Sequence, residues 1–324
     1  MFDDVAPTTQ SNRFCQLAGV EIPIIGAPMT YIAGAQLAAA VSNAGGLGII
    51  ETTSEQGRAD LTRVRDLTDR PVGANISLFI KRDPSFVDEL VAQGIRFVTT
   101  SAGDPRLFTG ALRAAGITVF HVIGTLAAAR KAADAGVDGL VVEGVEGGGF
   151  KNRYGASSMV LLPLVADNVD LPIIAAGGIC DARTMAAAFV LGGDGVQMGT
   201  RLLACAESPV HDNFKRAVVD ADETSTVLLP LGGVRMMRVI RTATAELMDS
   251  GEAPDADGSA LERVRTLYFD GDMAASVANT GQVAGRIDEI RPAADIIAEM
   301  WAGSRDVLAA TAREMDASAS SVPE

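Results

Sequence analysis

A closed (β/α)8 barrel with a helical C-terminal addition is the fold class this chain predicts. Eight short aliphatic or β-branched runs recur along its first two thirds, each followed by a longer Ala- and Leu-rich stretch. That alternation is the pattern of buried parallel strands exchanging with helices. The length of 324 residues suits one barrel of roughly 250 residues plus an addition. An open doubly wound sheet is the competing arrangement, and eight consecutive units favour closure.

The expected strands are Ile22–Ala27, Leu47–Ile50, Pro71–Ile76, Arg96–Thr100, Thr118–His121, Gly139–Val142, Pro172–Ala176 and Gly195–Met198. Among the intervening stretches, Gly34–Asn43 is apolar with good helix formers and stops at Ala44–Gly46. Pro84–Gln93 ends at Gly94, and Thr125–Ala135 ends at Gly136. Asp181–Leu191 opens on an N-capping aspartate and ends at Gly192-Gly193. After Thr200 the pattern changes. Leu202–Val219 reads as a helix broken at Pro209, and Ala221–Thr226 is polar. Asp249–Ser259 reads as a linker. Leu261–Met273 and Gln282–Met300 read as helices. The expected domains are a barrel over 1–220, a helical substrate-side addition over 221–300, and a C-terminal helix and tail over 301–324. The helix packs back on the barrel and the tail, Ala317–Glu324, frays.

Composition narrows the function. Hydrophobic residues at 48 % and charged residues at 21 % permit a large core. A net charge of −14 leaves no surplus of Lys and Arg to neutralise phosphates, so no nucleic-acid partner is expected. No apolar run reaches the roughly 18 residues that cross a bilayer, so no membrane partner is expected either. Met1–Gln10 carries Asp3 and Asp4 without an apolar core and does not read as a secretory signal. Cys15, Cys180 and Cys205 form neither a disulfide framework nor a metal motif. They read as buried thiols in a reducing compartment, giving a cytoplasmic protein with a small-molecule substrate. A homodimer through the addition is compatible with the sequence.

In such barrels the chemistry sits at the C-terminal ends of the strands. Gly177-Gly178 ends the seventh predicted strand just before the helix capped by Asp181, and Gly199-Thr200 repeats the arrangement one unit later. Glycine lets backbone N–H groups approach a phosphate closely, and the loops after the last two strands are where barrels bind one. Gly147–Gly149 offers a second bare backbone platform, suited to a flat isoalloxazine ring. Ala27-Pro28-Met29 and Asn75 end the first and third strands and would touch that ring. A turn role is the competing reading of Asn75. His121 ends the fifth strand, facing either the mouth or the core, and His211 follows Pro209 as a weaker substrate-side candidate.

These motifs carry a resemblance. Gly26-Ala27-Pro28-Met29, Asn43–Gly48, Glu143–Gly149, Ala175–Gly178 and Met198–Arg201 occur in the order found in the nitronate monooxygenase (2-nitropropane dioxygenase) family. That family includes similar NADH:quinone reductases and FMN-dependent enoyl-ACP reductases. The resemblance implies FMN, with its phosphate on Gly177, Gly178, Gly199 and Thr200 and its ring near Ala27, Pro28, Met29, Asn75, Gly148, Gly149 and Ala176. NADH or NADPH would be the electron donor. The chain departs from the family at Phe150, where a histidine acts near the flavin, and at Val122, where several relatives carry lysine. Lys151 and Tyr154 are the catalytic candidates that would compensate. The expected activity is FMN-dependent redox of a small organic substrate, resembling nitronate oxidation. NAD(P)H-dependent reduction of a quinone or enoyl thioester is the alternative, and a non-catalytic FMN-binding protein the rival of another class. A flavin-free barrel resembling IMP dehydrogenase would need a cysteine after the sixth strand, and none occurs there.

Overall fold

A computed structural model describes residues 12–80, 83–252 and 259–319. Eight parallel strands form the barrel: β1 (Ile24–Gly26), β2 (Gly48–Glu51), β3 (Val72–Ser77), β4 (Phe97–Ser101), β5 (Thr118–Ile123), β6 (Gly139–Glu143), β8 (Ile173–Ala176) and β9 (Gly195–Met198). The short strand β7 (Gly149–Asn152) leaves the barrel after β6. The barrel order is β1-β9-β8-β6-β5-β4-β3-β2. A parallel bridge between Ile25 and Leu47 joins the two ends. The Gly26 N–H donates to the Leu47 carbonyl (3.0 Å) and the Leu47 N–H to the Ile24 carbonyl (2.9 Å). The sheet therefore closes, as the eight-unit pattern predicts.

Helices cover the outside: α2 (Ala35–Asn43), α3 (Glu55–Arg63), α4 (Phe86–Ala92), α5 (Thr109–Ala114), α6 (Leu126–Asp134), α7 (Ser158–Ala166) and α8 (Ala182–Val190). Ahead of β1, α1 (Arg13–Ala18) is an element the sequence reading did not foresee. It plugs the N-terminal end of the barrel. Phe14 meets Phe97 and Phe120 with ring centroids 5.8 and 6.0 Å apart. Gly139 makes this possible, because a Cβ there would overlap the Phe120 ring. Arg13 pins the plug to Asp194 (2.9 Å) and Asp170 (3.2 Å).

After β9 come α9 (Thr200–Leu203) and α10 (Asp212–Val219). The next stretch corrects the expected all-helical addition. β10 (Thr226–Pro230) and β11 (Arg235–Ile240) form an antiparallel hairpin. Gly232 (φ 92°) and Gly233 (φ 62°) sit at its tip, where only residues tolerant of positive φ turn so tightly. β12 (Ala278–Asn279) pairs with β11, and so does β7. Val227, Leu229 and Val239 are buried on one face of this small sheet, under Ala245 of α11 (Ala243–Asp249). α12 (Ala260–Arg265) runs into a π-turn over Thr266–Asp270.

The chain then returns as α13 (Ala293–Ala319), which lies against α8 and α2 and takes the eighth place in the helical ring. Ile297 and Met300 are buried there, and Trp301 meets Phe189 edge-on at 6.3 Å. The expected N-terminal segment Met1–Gln10, residues 253–258 of the expected linker and the final residues 320–324 lie outside the described residues. Among the described residues, no helix is long and apolar enough to cross a membrane.

Candidate active site

Side chains alternate across each strand, so one set faces into the barrel. Ile25, Leu47, Ile49, Phe97, Phe120, Val141 and Ile174 form the apolar interior. Two residues further along β2, β3, β4, β6 and β9, the interior turns polar. Strand register carries Glu51, Asn75, Thr99 and Ser101, Glu143 and Gln197 onto that rim, beside Ala176 and Val122. Apolar below and polar at the C-terminal ends is the layering of a barrel with a site at its mouth.

Each polar rim residue has a distinct environment. Glu51 is buried and accepts from the N–H groups of Tyr31 (3.2 Å), Thr53 (2.7 Å) and Ser54 (3.0 Å), and from the Ser54 hydroxyl. It thereby fixes the loop after β1, where Tyr31 takes a left-handed φ of 67°. Asn75 spends its amide donors on the Thr99 carbonyl (3.1 Å) and hydroxyl (2.9 Å). Gln197 is buried with its Oε1 lacking any partner among the described residues.

Glu143 accepts a hydrogen bond from Lys151 Nζ at 2.9 Å. The same ammonium donates to the carbonyls of Gly148 (2.8 Å) and Phe150 (3.0 Å), and the Lys151 side chain is only 5 % exposed. The ammonium is thus held at the mouth by a carboxylate from the barrel wall. β7 delivers it because its alternate residues face opposite ways. Lys151 points inward, whereas Phe150 is 65 % exposed and Tyr154 76 % exposed. Phe150 and Tyr154 therefore stay outside the rim.

Glycine turns converge beside this pair. Gly177 (φ 85°) and Gly178 (φ 80°) are both left-handed. A Cβ on Gly177 would lie 3.1 Å from the Gly144 carbonyl oxygen and the Gly147 nitrogen. One on Gly148 would come within 2.9 Å of the Gly281 nitrogen. The Gly281 N–H donates to Thr200 Oγ1 (2.9 Å), and the Gln282 N–H to the Glu146 carbonyl (2.9 Å). The β6 loop, the β8 and β9 ends and the segment after β12 therefore meet backbone to backbone. Met29 and Ala27 close the same corner, 3.7 and 3.4 Å from where a Gly199 Cβ would stand. Among the described residues, the N–H groups of Gly178, Ile179, Gly199 and Thr200 find no acceptor. Thr200 uses its hydroxyl oxygen as an acceptor, leaving the proton free to donate. Convergent unpaired donors on bare backbone fit a phosphate dianion. The start of α8 adds nothing, because Asp181 caps its own helix through Thr184 (2.8 Å) and pairs with Arg286.

The two histidines fall outside the mouth. His121 alternates with the inward Phe120 and Val122, so it faces the helical layer, where its Nδ1 meets Thr100 Oγ1 at 2.7 Å. Burial pushes its pKa down to about 4. His211 caps α10, accepting from the Asn213 N–H at 3.1 Å, with its ring against Gly271. All three cysteines are buried, and burial raises Cys15 and Cys205 to about 12. Sequence reasoning missed Glu51, Glu143 as the partner of Lys151, Gln197 and the contact of Gly281 with Thr200. Counting alternate residues to the end of each apolar run would have found the first three.

The family profile described as nitronate monooxygenase matches residues 11–85 and 81–303. The (3aS,4S,5R,7aS)-5-hydroxy-7a-methyl-1-oxo-octahydro-1H-indene-4-carboxyl-CoA dehydrogenase of Mycobacterium tuberculosis is 36 % identical over 252 residues, which is 76 % of this chain and 70 % of that protein. A nitronate monooxygenase of Pseudomonas aeruginosa is 33 % identical over 269 residues, 67 % of this chain and 76 % of that protein. The solved structure of FabK from Thermotoga maritima superposes with a TM-score of 0.85 at 34 % identity, covering 94 % of this chain and 99 % of that one. The barrel, its mouth and these likenesses agree: the chain belongs to the nitronate monooxygenase family of oxidoreductases.

Proposed function

We propose that the chain is an FMN-dependent oxidoreductase acting on the carbon skeleton beside an acyl thioester carbonyl. The observation that carries this reading is the Lys151 ammonium, seated at the mouth on Glu143 and 5 % exposed. Gly177, Gly178, Gly199 and Thr200 would hold the phosphate through unpaired donors, and Gly148 and Gly149 would border the ring through their backbone, Gly148 with its bare side against Thr280 and Gly281. Ala27, Pro28, Met29, Asn75 and Ala176 would border it. When bound, FMN supplies a two-electron acceptor and donor at its N5. The Lys151 ammonium spends its three N–H groups on Glu143, Gly148 and Phe150, so it acts on the substrate's carbonyl oxygen as a fixed positive charge, beside which negative charge builds as the neighbouring carbon gains or loses hydrogen. Glu143 keeps the ammonium aimed. Phe150 cannot take a proton and Tyr154 stands in solvent outside the rim, so Lys151 is the remaining acidic group of this loop at the mouth.

The thioester reading has support from the dehydrogenase likeness, since that relative acts on a carboxyl-CoA. Nitronate oxidation is the second reading. A nitronate is already an anion, so the fixed cation of Lys151 suits it without a histidine base. The deciding experiment is anaerobic titration of flavin-loaded protein with NADH, NADPH, saturated and α,β-unsaturated acyl thioesters, and a nitronate. Bleaching by a saturated thioester, or reoxidation of the reduced flavin by an unsaturated one, supports the first reading. Bleaching by nitronate alone supports the second. A bound flavin that responds to none of these leaves only a non-catalytic flavin-binding protein.

A further inference from the structure

Among the helices that ring the barrel, α7 has an outward face of a different kind. Exposed charged side chains mark most of the others: Glu55 on α3, Asp88 on α4, Arg113 on α5, Arg130 on α6 and Arg183 on α8. α2 carries no charged residue, and α13 lies across it. α7 carries none either, yet nothing among the described residues covers it. Leu161, Leu162 and Val165 are its buried face. Met159, Val160, Pro163 and Leu164 fall together on the other side, within about 140° of the helical turn. Met159 is 68 %, Val160 57 % and Leu164 42 % exposed. A contiguous apolar stripe of this kind marks a contact surface rather than scattered surface apolarity.

Charge says what fits there. On a chain of net charge −14, most approaches between two copies bring carboxylates together. The stripe is free of them as far as Asp167, which ends α7 as its C-cap. We infer that this stripe is an interface between two copies of the chain, with α7 packed antiparallel on α7 about a two-fold axis near Pro163. A parallel pair would set the two Asp167 carboxylates side by side. The antiparallel pair sets each Asp167 level with the partner's Met159, since both lie four residues from Pro163. That is the first turn of the partner's helix, where free N–H groups and the helix dipole favour an anion. Ser157, the N-cap, makes no side-chain hydrogen bond to this turn and leaves it open. The interface lies on the barrel rather than on the addition.

Sedimentation velocity on the intact protein, from low to several hundred micromolar, reads the association. A stripe on a helix of 9 residues is smaller than the roughly 800 Å² that each partner buries in a standard interface, so a weak dimer is expected, with a dissociation constant on the order of 10 μM. The Val160→Glu, Leu164→Glu double variant is expected to weaken it at least about 100-fold. Asp167→Asn is expected to weaken it about tenfold, because its contact occurs twice. A second measurement does not depend on those variants folding. Pro163→Cys places a thiol beside its own copy at the two-fold axis, and the three native cysteines are buried and do not compete. Mild oxidation is expected to cross-link it into a dimer, and to leave Val190→Cys, on the exposed face of α8, a monomer. Wild type that stays monomeric, a double variant that dimerises as well as wild type, or Pro163→Cys that cross-links no faster than Val190→Cys would each overturn the interface. Unchanged association of Asp167→Asn would overturn the antiparallel arrangement.

Discussion

Replacing Lys151 by methionine keeps the length of the side chain and removes its charge. Three hydrogen bonds disappear, to Glu143 (2.9 Å), Gly148 (2.8 Å) and Phe150 (3.0 Å). The two carbonyls sit in a loop that water reaches, so the main structural cost is the orphaned Glu143 carboxylate. Breaking a fully buried pair costs roughly 3–5 kcal/mol. The Glu143 side chain is 26 % exposed and rehydrates in part, so about 2 kcal/mol of stability is expected to go. Loss of a fixed cation beside developing negative charge costs about 100- to 1000-fold in turnover. Urea melts measure the first effect, and stopped-flow reoxidation of reduced flavin by an unsaturated thioester measures the second. Lys151→Arg retains the cation and is expected to recover part of the rate, and Glu143→Gln to lose about tenfold by loosening the ammonium. A folded, flavin-loaded Lys151→Met protein with turnover within threefold of wild type would refute the role given to this lysine.

Two further expectations concern the turns and the core. Gly177→Ala forces a Cβ onto φ 85° and within 3.1 Å of Gly144 and Gly147; it is expected to cost about 2 kcal/mol and to weaken FMN binding at least tenfold in a fluorescence titration. Gly116→Ala, with a similar φ of 74° but nothing within 4 Å, carries the backbone cost alone and is expected to leave FMN affinity intact. His121 supplies a pH dependence, since burial lowers its pKa to about 4. Below about pH 6.5 the unfolded chain takes up a proton at this ring, while the folded chain does so only near pH 4. Stability from this group is therefore complete above pH 6.5 and falls, by up to about 3 kcal/mol, as pH drops through that window. His121→Asn is expected to flatten that slope in thermal melts between pH 7 and 4; a parallel slope would show that other groups set it.

The barrel was legible because its signal is redundant. Every strand is a short apolar run with its own stop, and the runs at Gly139–Val142 and Pro172–Ala176 differ from the observed β6 and β8 by a single residue at one end. The addition was harder. Val227-Leu228-Leu229 and Met236–Ile240 flank a Gly-Gly hairpin turn, yet their apolar residues also fit a helix, and short runs do not separate the two periods. α1 is six residues long and carries little periodicity, so its role as a plug shows only in the Phe14–Phe97–Phe120 contacts. The phosphate-type turns could be read from Gly177-Gly178, where positive φ at a strand end demands glycine, and from Gly199-Thr200, where Gly199 at φ −104° lies close to Ala27 and Met29. Which face of β7 turns inward could not. That depends on its pairing with β11, more than eighty residues away, and this pairing separates Lys151 at the mouth from Phe150 and Tyr154 in solvent.

The central claim is that unpaired backbone donors at the ends of β8 and β9 grip a phosphate. FMN and riboflavin differ only in that phosphate, so their dissociation constants, measured side by side on the stripped protein, test it most directly. Two or more charge-assisted hydrogen bonds predict FMN binding at least about 100-fold tighter than riboflavin. Equal affinity for the two flavins, or binding of neither, would contradict it.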